Sequence, residues 1–269
     1  MVFGALGIAV ALVLFLSPVP TFRRIVRARS TLAFSQAPFL AQLVESSFWA
    51  MWSTTVHGRL EMLINNLVGC ACMLVYVVLF ACFAHGSERR RRVVLQDGVA
   101  VAMVAAGLAV LLLVEDQAVA STVLSACAVT LNTVKYASPL SVARLVVRTK
   151  SVEFMPLPLT LACLACSVLW ATYGLLVADV WIVVPNVAGL ACSAAQVFLW
   201  CWYCRGAGEH KESEQKARGA GQEMVIEEGK ASGGINISEC SKEDNATVSS
   251  PVLCRGESEL ETKEVLHVL

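Results

Sequence analysis

Long apolar stretches alternate with short polar segments along most of the chain. Each stretch holds about 19 to 24 residues, close to the ~20 that a helix needs to cross the hydrocarbon core of a bilayer. The pattern predicts an all-α integral membrane protein with seven transmembrane helices. The stretches cover approximately residues 4–22, 38–56, 62–84, 93–114, 117–138, 157–177 and 180–203.

The C-terminal part of the chain, residues 205–269, has a different composition. It is rich in Glu, Lys, Ser and Gly and has few aromatic residues. Such a segment cannot bury enough apolar surface to offset the conformational entropy that folding would cost. We therefore predict a disordered tail after the last transmembrane helix.

The overall composition supports a membrane protein. Of the 269 residues, 57% are hydrophobic and 16% are charged, and the mean hydropathy is +0.65, whereas soluble domains carry less apolar sequence. The formal net charge is zero, which gives no support to a nucleic-acid partner. The sequence has no metal-ligand cluster, nucleophile elbow or phosphate-binding loop, so neither an enzyme nor a cofactor is predicted.

Basic residues are concentrated in alternate loops. The loops after the first, third and fifth stretches hold eleven Lys and Arg, whereas the N-terminus and the other loops between stretches hold only Arg59, with four acids. The excess of basic residues predicts that these three loops face the cytoplasm. The N-terminus is then expected outside and the C-terminal tail in the cytoplasm.

A pattern of proline and asparagine occurs twice, about 120 residues apart. Many transporters are built from duplicated membrane units and hold their substrate where the two units meet. The pattern therefore suggests a function as well as a fold. The first copy is Ser17-Pro18, Pro38 and Asn66-x-x-Gly69, and the second is Ser138-Pro139, Pro156 and Asn186-x-x-Gly189.

The duplication also predicts the arrangement of the helices. Three helices cross a membrane an odd number of times, so two adjacent three-helix units would be inverted relative to each other. The fourth helix, which has no counterpart in the repeat, restores a common orientation and gives two parallel bundles. The predicted organisation is a first repeat at 1–92, a linker helix at 93–116, a second repeat at 117–204 and the tail at 205–269.

Three strings carry a resemblance to a known family: SPVPTF at 17–22, YASPLSVARLVVRTKSVEFMP at 136–156 and PNVAG at 185–189. With these strings, the chain resembles the SWEET (MtN3/saliva) sugar transporters, especially those of plants. The resemblance implies bidirectional, energy-independent passage of mono- or disaccharides by alternating access. It further implies a plasma-membrane location, a sugar as the small-molecule partner, contact with the lipid bilayer, and a homo- or hetero-oligomer with family members.

The resemblance implies a substrate pocket. Asn66 and Asn186 match the family's paired asparagines, whose amides can bond sugar hydroxyls, although Asn in membranes also commonly bonds helix to helix. Trp49 and Trp170 match two tryptophans that can stack on a sugar ring, although an isolated membrane Trp is more often an interfacial anchor. Three further matched positions that are expected to face the pocket are Ala11, Leu14 and Asn132.

The resemblance also implies two gates. The inner gate would use four prolines that kink their helices, although membrane prolines can also merely shape packing. These prolines are Pro18, Pro38, Pro139 and Pro156. The outer gate would use Asp179, which in the family bonds a tyrosine on the second helix. Trp52 occupies that position here, and its indole N–H can also donate to a carboxylate, while Tyr173 is nearby on the sixth helix.

Two charged residues depart from the family pattern. Glu45, seven residues after Pro38, and Lys135, four before Pro139, are both expected to face the central cavity. A lone charge in the membrane costs at least ~2.5–3.5 kcal/mol on insertion scales. We therefore predict that the two form an intramembrane salt bridge, the alternative being that each is separately hydrated in an open cavity.

Two other functions remain open from the sequence. A proton-coupled transporter is suggested by Glu45, a carboxylate inside the membrane. A weakly active or non-transporting partner subunit of active relatives is suggested by the altered residues Glu45, Lys135 and Trp52. A seven-helix receptor fits less well, because the repeat and the short loops do not suit one.

Overall fold

The computed structural model of the chain describes residues 2–135, 137–152 and 155–204, and only the backbone of residues 137–139. The predicted tail at 205–269 lies outside the described residues. Within the described ranges every regular element is an α-helix, as predicted. These helices are α1 (Val2–Leu16), α2 (Val19–Ala28), α3 (Ala37–Thr55), α4 (Leu60–Cys82), α5 (Ser87–Leu113), α6 (Gln117–Lys135), α7 (Ala137–Thr149), α8 (Leu157–Leu176) and α9 (Val180–Cys204).

Six helical segments of the described residues are long and apolar enough to cross a membrane. Helices α1 and α2 together form the first, Val2–Ala28, and α6 and α7 together form another, Gln117–Thr149. The remaining four are α4, α5, α8 and α9. These six segments account for six of the seven predicted spans.

Helix α3, the remaining predicted span, is more polar. It has 19 residues, includes Gln42, Glu45 and Ser46, and buries ten of its side chains. It packs against α4, α5 and α6. Because its neighbours are largely protein rather than lipid, α3 can carry polar residues that a lipid-facing helix would not tolerate.

The two predicted repeats meet through equivalent helix pairs. Helix α1 of the first unit packs against α8 of the second, and α6 of the second packs against α3 of the first. Since α6 is the predicted repeat of α1 and α8 is the predicted repeat of α3, the interface is approximately two-fold. The linker helix α5 packs against α3 and α6.

The backbone repeats as well as the sequence. Arg29 (φ 47°) and Lys150 (φ 53°) are left-handed residues 121 positions apart (150 − 29), the same separation as Pro18 and Pro139 (139 − 18). Gly58 (φ 75°) and Ala178 (φ 51°) are 120 apart (178 − 58). The corresponding turns of the two units therefore share a conformation that most residues avoid.

The prolines do not all interrupt helices. Pro18 lies between α1 and α2 and breaks that span, as predicted. The prediction of a kink is wrong for Pro38, which lies in the first turn of α3, and for Pro156, which is the N-cap of α8. Proline is tolerated at a helix start because the N–H that it lacks has no partner there. Pro139 lies in α7, and because only its backbone is described, its kink stays a prediction.

Candidate functional site

A cavity of about 360 Å³ lies between the two units. All nine predicted substrate-binding residues line it: Ala11, Leu14, Glu45, Trp49, Asn66, Asn132, Lys135, Trp170 and Asn186. Two of the predicted gate prolines, Pro18 and Pro38, also line it. The other lining residues are Phe15, Phe39, Gln42, Met62, Asn65, Met73 and Cys166. The structure thus brings together side chains from both halves of the repeat.

The paired asparagines have the same geometry. Asn66 Nδ2 donates to the Met62 carbonyl at 2.8 Å, and Asn186 Nδ2 donates to the Ile182 carbonyl at 2.8 Å. Each amide is thereby held against its own helix, four residues back. In the described part of the chain these are their only hydrogen bonds, so one N–H and the carbonyl oxygen of each amide remain for a ligand.

The two tryptophans are also arranged alike. Trp49 meets Trp52 edge to face, with ring centroids 5.3 Å apart and planes at 84°. Trp170 meets Tyr173 in the same way, at 5.4 Å and 79°. In each unit the indole is thus oriented by the aromatic residue three positions later. Both indoles are buried and form part of the cavity wall.

The two charged residues pair, as predicted. Lys135 Nζ forms an ion pair with Glu45 Oε2 and donates to Gln42 Oε1 at 2.8 Å. Gln42 Nε2 in turn donates to Ser46 Oγ at 3.1 Å. The Glu45 side chain is 4% exposed and that of Lys135 is 30% exposed, so the ammonium is the more accessible partner. The chain of contacts joins α3 of the first unit to α6 of the second.

Sequence reasoning missed two polar residues of the cavity. Gln42 lies one turn before Glu45 and Ser46 on the same face of α3, and that spacing could have indicated it. Asn65 directly precedes Asn66. Its Oδ1 is buried and has no hydrogen-bond partner in the described part of the chain. The corresponding residue of the second unit is Pro185, so the second unit has no amide equivalent to that of Asn65.

The basic end of the molecule is the end that carries the loops after α2, α4 and α7. The cavity reaches this end at Pro18 and at the exposed Pro38. The break at Pro18 leaves helix carbonyls without their usual partners. Ser17 Oγ donates to the Leu14 carbonyl at 2.8 Å, and Tyr76 Oη donates to the Phe15 carbonyl at 3.0 Å. The break is therefore satisfied by side chains rather than left open.

The opposite end is closed by contacts between the units. Arg59 Nη2 lies 2.9 Å from Asp179 Oδ2, and its Nε donates to the same oxygen at 3.3 Å. Tyr173 Oη donates to Glu61 Oε2 at 3.3 Å. Arg59 and Asp179 each stand seven residues before the asparagine of their unit (66 − 59 and 186 − 179), so two repeat-related residues pair with each other.

This arrangement differs from the expected role of Trp52. The expected bond from the Trp52 indole to Asp179 is replaced by the bond from Arg59. Trp52 is fully buried, and its Nε1 has no hydrogen-bond partner in the described part of the chain. The second carboxylate oxygen of Asp179 accepts from the Trp181 N–H at 3.1 Å, at the start of α9.

Comparison with known proteins gives a consistent result. The family model described as "Sugar efflux transporter for intercellular exchange" matches residues 1–88 and 122–207. The bidirectional sugar transporter SWEET4 of Oryza sativa subsp. indica is 38% identical over 217 residues, covering 79% of this chain and 83% of that protein. The bidirectional sugar transporter N3 of Medicago truncatula is 32% identical over 219 residues, covering 80% of each.

A solved structure has the same architecture. The structure of a eukaryotic SWEET transporter at 3.7 Å resolution matches with a TM-score of 0.72 and 33% sequence identity. The match covers 76% of this chain and 96% of that one. The unmatched portion of this chain is comparable in length to the segment after α9.

Proposed function

Since the chain belongs to the SWEET family of sugar transporters, which are not enzymes, we propose that it carries sugars by facilitative, bidirectional uniport. The observation that carries the proposal is the two-fold cavity, in which repeat-related Asn66 and Asn186 present free amide groups. Sugar hydroxyls both donate and accept, as an amide does. Two buried indoles supply apolar surface for the ring face.

The size of the cavity favours a small substrate. At about 360 Å³ it lies at the lower end of the ~300–1,000 Å³ typical of small-molecule sites. The ion pair of Lys135 and Glu45 forms part of the cavity wall. We therefore infer that a monosaccharide is carried in preference to a disaccharide.

The state of the two ends supports alternating access. The cavity reaches the basic end, whereas Arg59–Asp179 and Glu61–Tyr173 close the opposite end. In the other state these contacts separate and the basic end closes around Pro18 and Pro38. We assign the basic end to the cytoplasm, the N-terminus to the outside and the protein to the plasma membrane, as a homo- or hetero-oligomer with family members.

A second candidate function is proton-coupled transport. It is favoured by the carboxylate of Glu45, which is buried beside the cavity and paired with Lys135. Protonation of Glu45 would break the pair and change the charge that faces the substrate. Coupling predicts that an imposed pH gradient drives accumulation, and that Glu45→Gln abolishes the accumulation.

Flux measurements distinguish these functions. The purified chain is reconstituted into liposomes, and radiolabelled glucose, fructose and sucrose are measured in both directions with and without a pH gradient. Uniport predicts equal internal and external sugar at equilibrium, whatever the gradient. Accumulation against the sugar gradient would support proton coupling. No flux of any sugar would support the remaining alternative, a partner subunit that does not itself transport.

A further inference from the structure

A second concave site lies on the membrane-facing side of the molecule, between α3 and α5. This groove has a volume of about 370 Å³ and almost wholly apolar walls. Small residues contribute to its walls: Ala37 and Ala41 on α3, and Ala100 on α5. It lies in the half of the membrane nearest the basic end, because it begins at the first residue of α3, and it is separate from the substrate cavity.

The groove is bounded by a contact at each end. Away from the basic end, Gly107 packs so closely that an added Cβ would lie 2.6 Å from Met51 Cε and 3.0 Å from Phe48 Cζ. At the basic end, Gln36 Nε2 donates to the Val93 carbonyl at 3.2 Å. Between these contacts the two helices separate and their side chains leave the space unfilled. The groove is therefore part of the helix packing.

The basic end of the groove is polar. Gln96 lines it, and Arg92 stands four residues earlier on the same face of α5. Both side chains are exposed. The apolar Val99 and Met103 continue this face, seven and eleven residues after Arg92. Arg90, two positions earlier, points about 200° away around the helix.

We propose that this groove binds one anionic phospholipid, with an acyl chain between α3 and α5 and the phosphate on Arg92. A guanidinium recognises phosphate oxygens through paired N–H donors, and the Gln96 amide adds a donor at the level of the glycerol esters. A net negative headgroup is favoured because Arg90 and Arg91 add to the positive potential at the same membrane surface.

Such a lipid would contact α3 on the face opposite to the one that lines the substrate cavity. The groove-lining residues Ala41 and Val44 directly precede Gln42 and Glu45, which face the cavity from the other side of α3. An acyl chain in the groove fills the gap against α5 and holds α3 in place. The lipid is thus expected to raise the thermal stability of the protein whether or not sugar is present.

The test uses the full chain purified in detergent and supplemented with phosphatidylglycerol or phosphatidylcholine of identical acyl chains. Bound lipid is counted by native mass spectrometry, and the thermal midpoint is measured in parallel. Arg92→Gln is compared with Arg90→Gln, which makes the same charge change on the opposite face. Val99→Phe, which fills the groove, is compared with Val101→Phe, an exposed position outside it.

The proposal predicts that phosphatidylglycerol binds and stabilises more than phosphatidylcholine. Arg92→Gln lowers this binding more than about tenfold, as expected when charge-assisted hydrogen bonds to a phosphate are lost, and Val99→Phe lowers it at least as much. Val101→Phe binds as the wild type does, and Arg90→Gln loses clearly less binding than Arg92→Gln because it removes only its share of the surface potential. Equal losses in Arg90→Gln and Arg92→Gln would overturn the proposal, because binding would then be diffuse surface attraction.

Two other results would also overturn it. If Val99→Phe bound as much lipid as Val101→Phe, no acyl chain would occupy the groove. If Val99→Phe instead dispersed an oligomer whose lipid content was unchanged, a second copy of the chain would cover the groove. None of these measurements depends on sugar transport, so the lipid site and the proposed function can fail independently.

Discussion

The basic ends of the two repeat units are packed differently. In the first unit Phe22 stacks on Tyr76, with ring centroids 4.5 Å apart, and meets Phe39 edge to face at 5.0 Å. The equivalent positions of the second unit, 121, 120 and 118 residues further along, hold Ala143, Gln196 and Leu157. The same backbone pattern thus carries three aromatic side chains in one unit and no aromatic side chain at the equivalent positions of the other.

The linker helix adds to this difference. Arg89 of α5 donates to the carbonyls of Leu32 and Phe34, at 2.6 Å each, and so holds the loop between α2 and α3. Gln36 Nε2 joins the same loop to Asp97 Oδ1 at 3.1 Å. The first unit and α5 therefore form one well-connected body. We expect α7 of the second unit to move more readily when the basic end closes.

The largest effect is expected where the two units share a buried charge pair. Lys135→Met leaves Glu45 buried without its partner, which costs on the order of 3–5 kcal/mol. We expect loss of folded protein in fluorescence-detected size-exclusion chromatography. The double variant Glu45→Gln/Lys135→Met should recover it. Lys150→Met, the same change at an exposed position, is the control. A fully stable Lys135→Met protein would show that the pair does not join the units.

A smaller effect is expected at the first unit's proline break. Tyr76→Phe leaves the Phe15 carbonyl without its donor, at a cost of about 1–3 kcal/mol. Hydrogen exchange of the wild type should be slower in α2 than in α7, and the variant should reduce this difference by speeding exchange in α2. Equal exchange rates in α2 and α7 of the wild type would contradict the proposed asymmetry.

The next largest effect is expected on sugar binding in the cavity, where Asn65 has no counterpart in the second unit. A sugar hydroxyl is expected to donate to its unpaired Oδ1, so Asn65→Leu should raise KM about tenfold, the equivalent of one hydrogen bond of ~1.4 kcal/mol. Thermal stability should be unchanged or higher, since an unpaired buried acceptor has been removed. Asn65→Asp, which keeps the acceptor, should retain a lower KM than Asn65→Leu. An unchanged KM in Asn65→Leu would exclude contact with the sugar.

The smallest effect is expected where Arg89 holds the loop between α2 and α3. Arg89→Gln removes two hydrogen bonds that lie at the membrane surface, so the stability loss should stay within about 1 kcal/mol. Exchange in residues 30–36 should nevertheless rise several-fold. Arg91→Gln, two positions along the same helix and exposed, is the matched control. If residues 30–36 showed the same hydrogen-exchange rate in both variants, Arg89 would not hold the loop.

Much of the fold followed from the sequence because bilayer thickness fixes helix length and the repeat fixes helix order. The cavity residues followed from matched positions, and the pair of Lys135 and Glu45 followed from the cost of lone charges. The pairing of Asp179 with Arg59 did not, because it depends on how two turns 120 residues apart approach each other. The positions of Pro38 and Pro156 at helix starts depended on boundaries that apolar patterns locate poorly.

The most direct test of the proposed two-fold sugar site is equilibrium exchange of radiolabelled monosaccharide in liposomes containing the purified protein. Asn66→Ala and Asn186→Ala should each lower exchange at least tenfold and to a similar extent, because each removes one of two equivalent amides. Thr130→Ala, exposed on α6, should exchange as the wild type does. If either asparagine variant exchanged sugar at the wild-type rate, the proposed two-fold sugar site would be wrong.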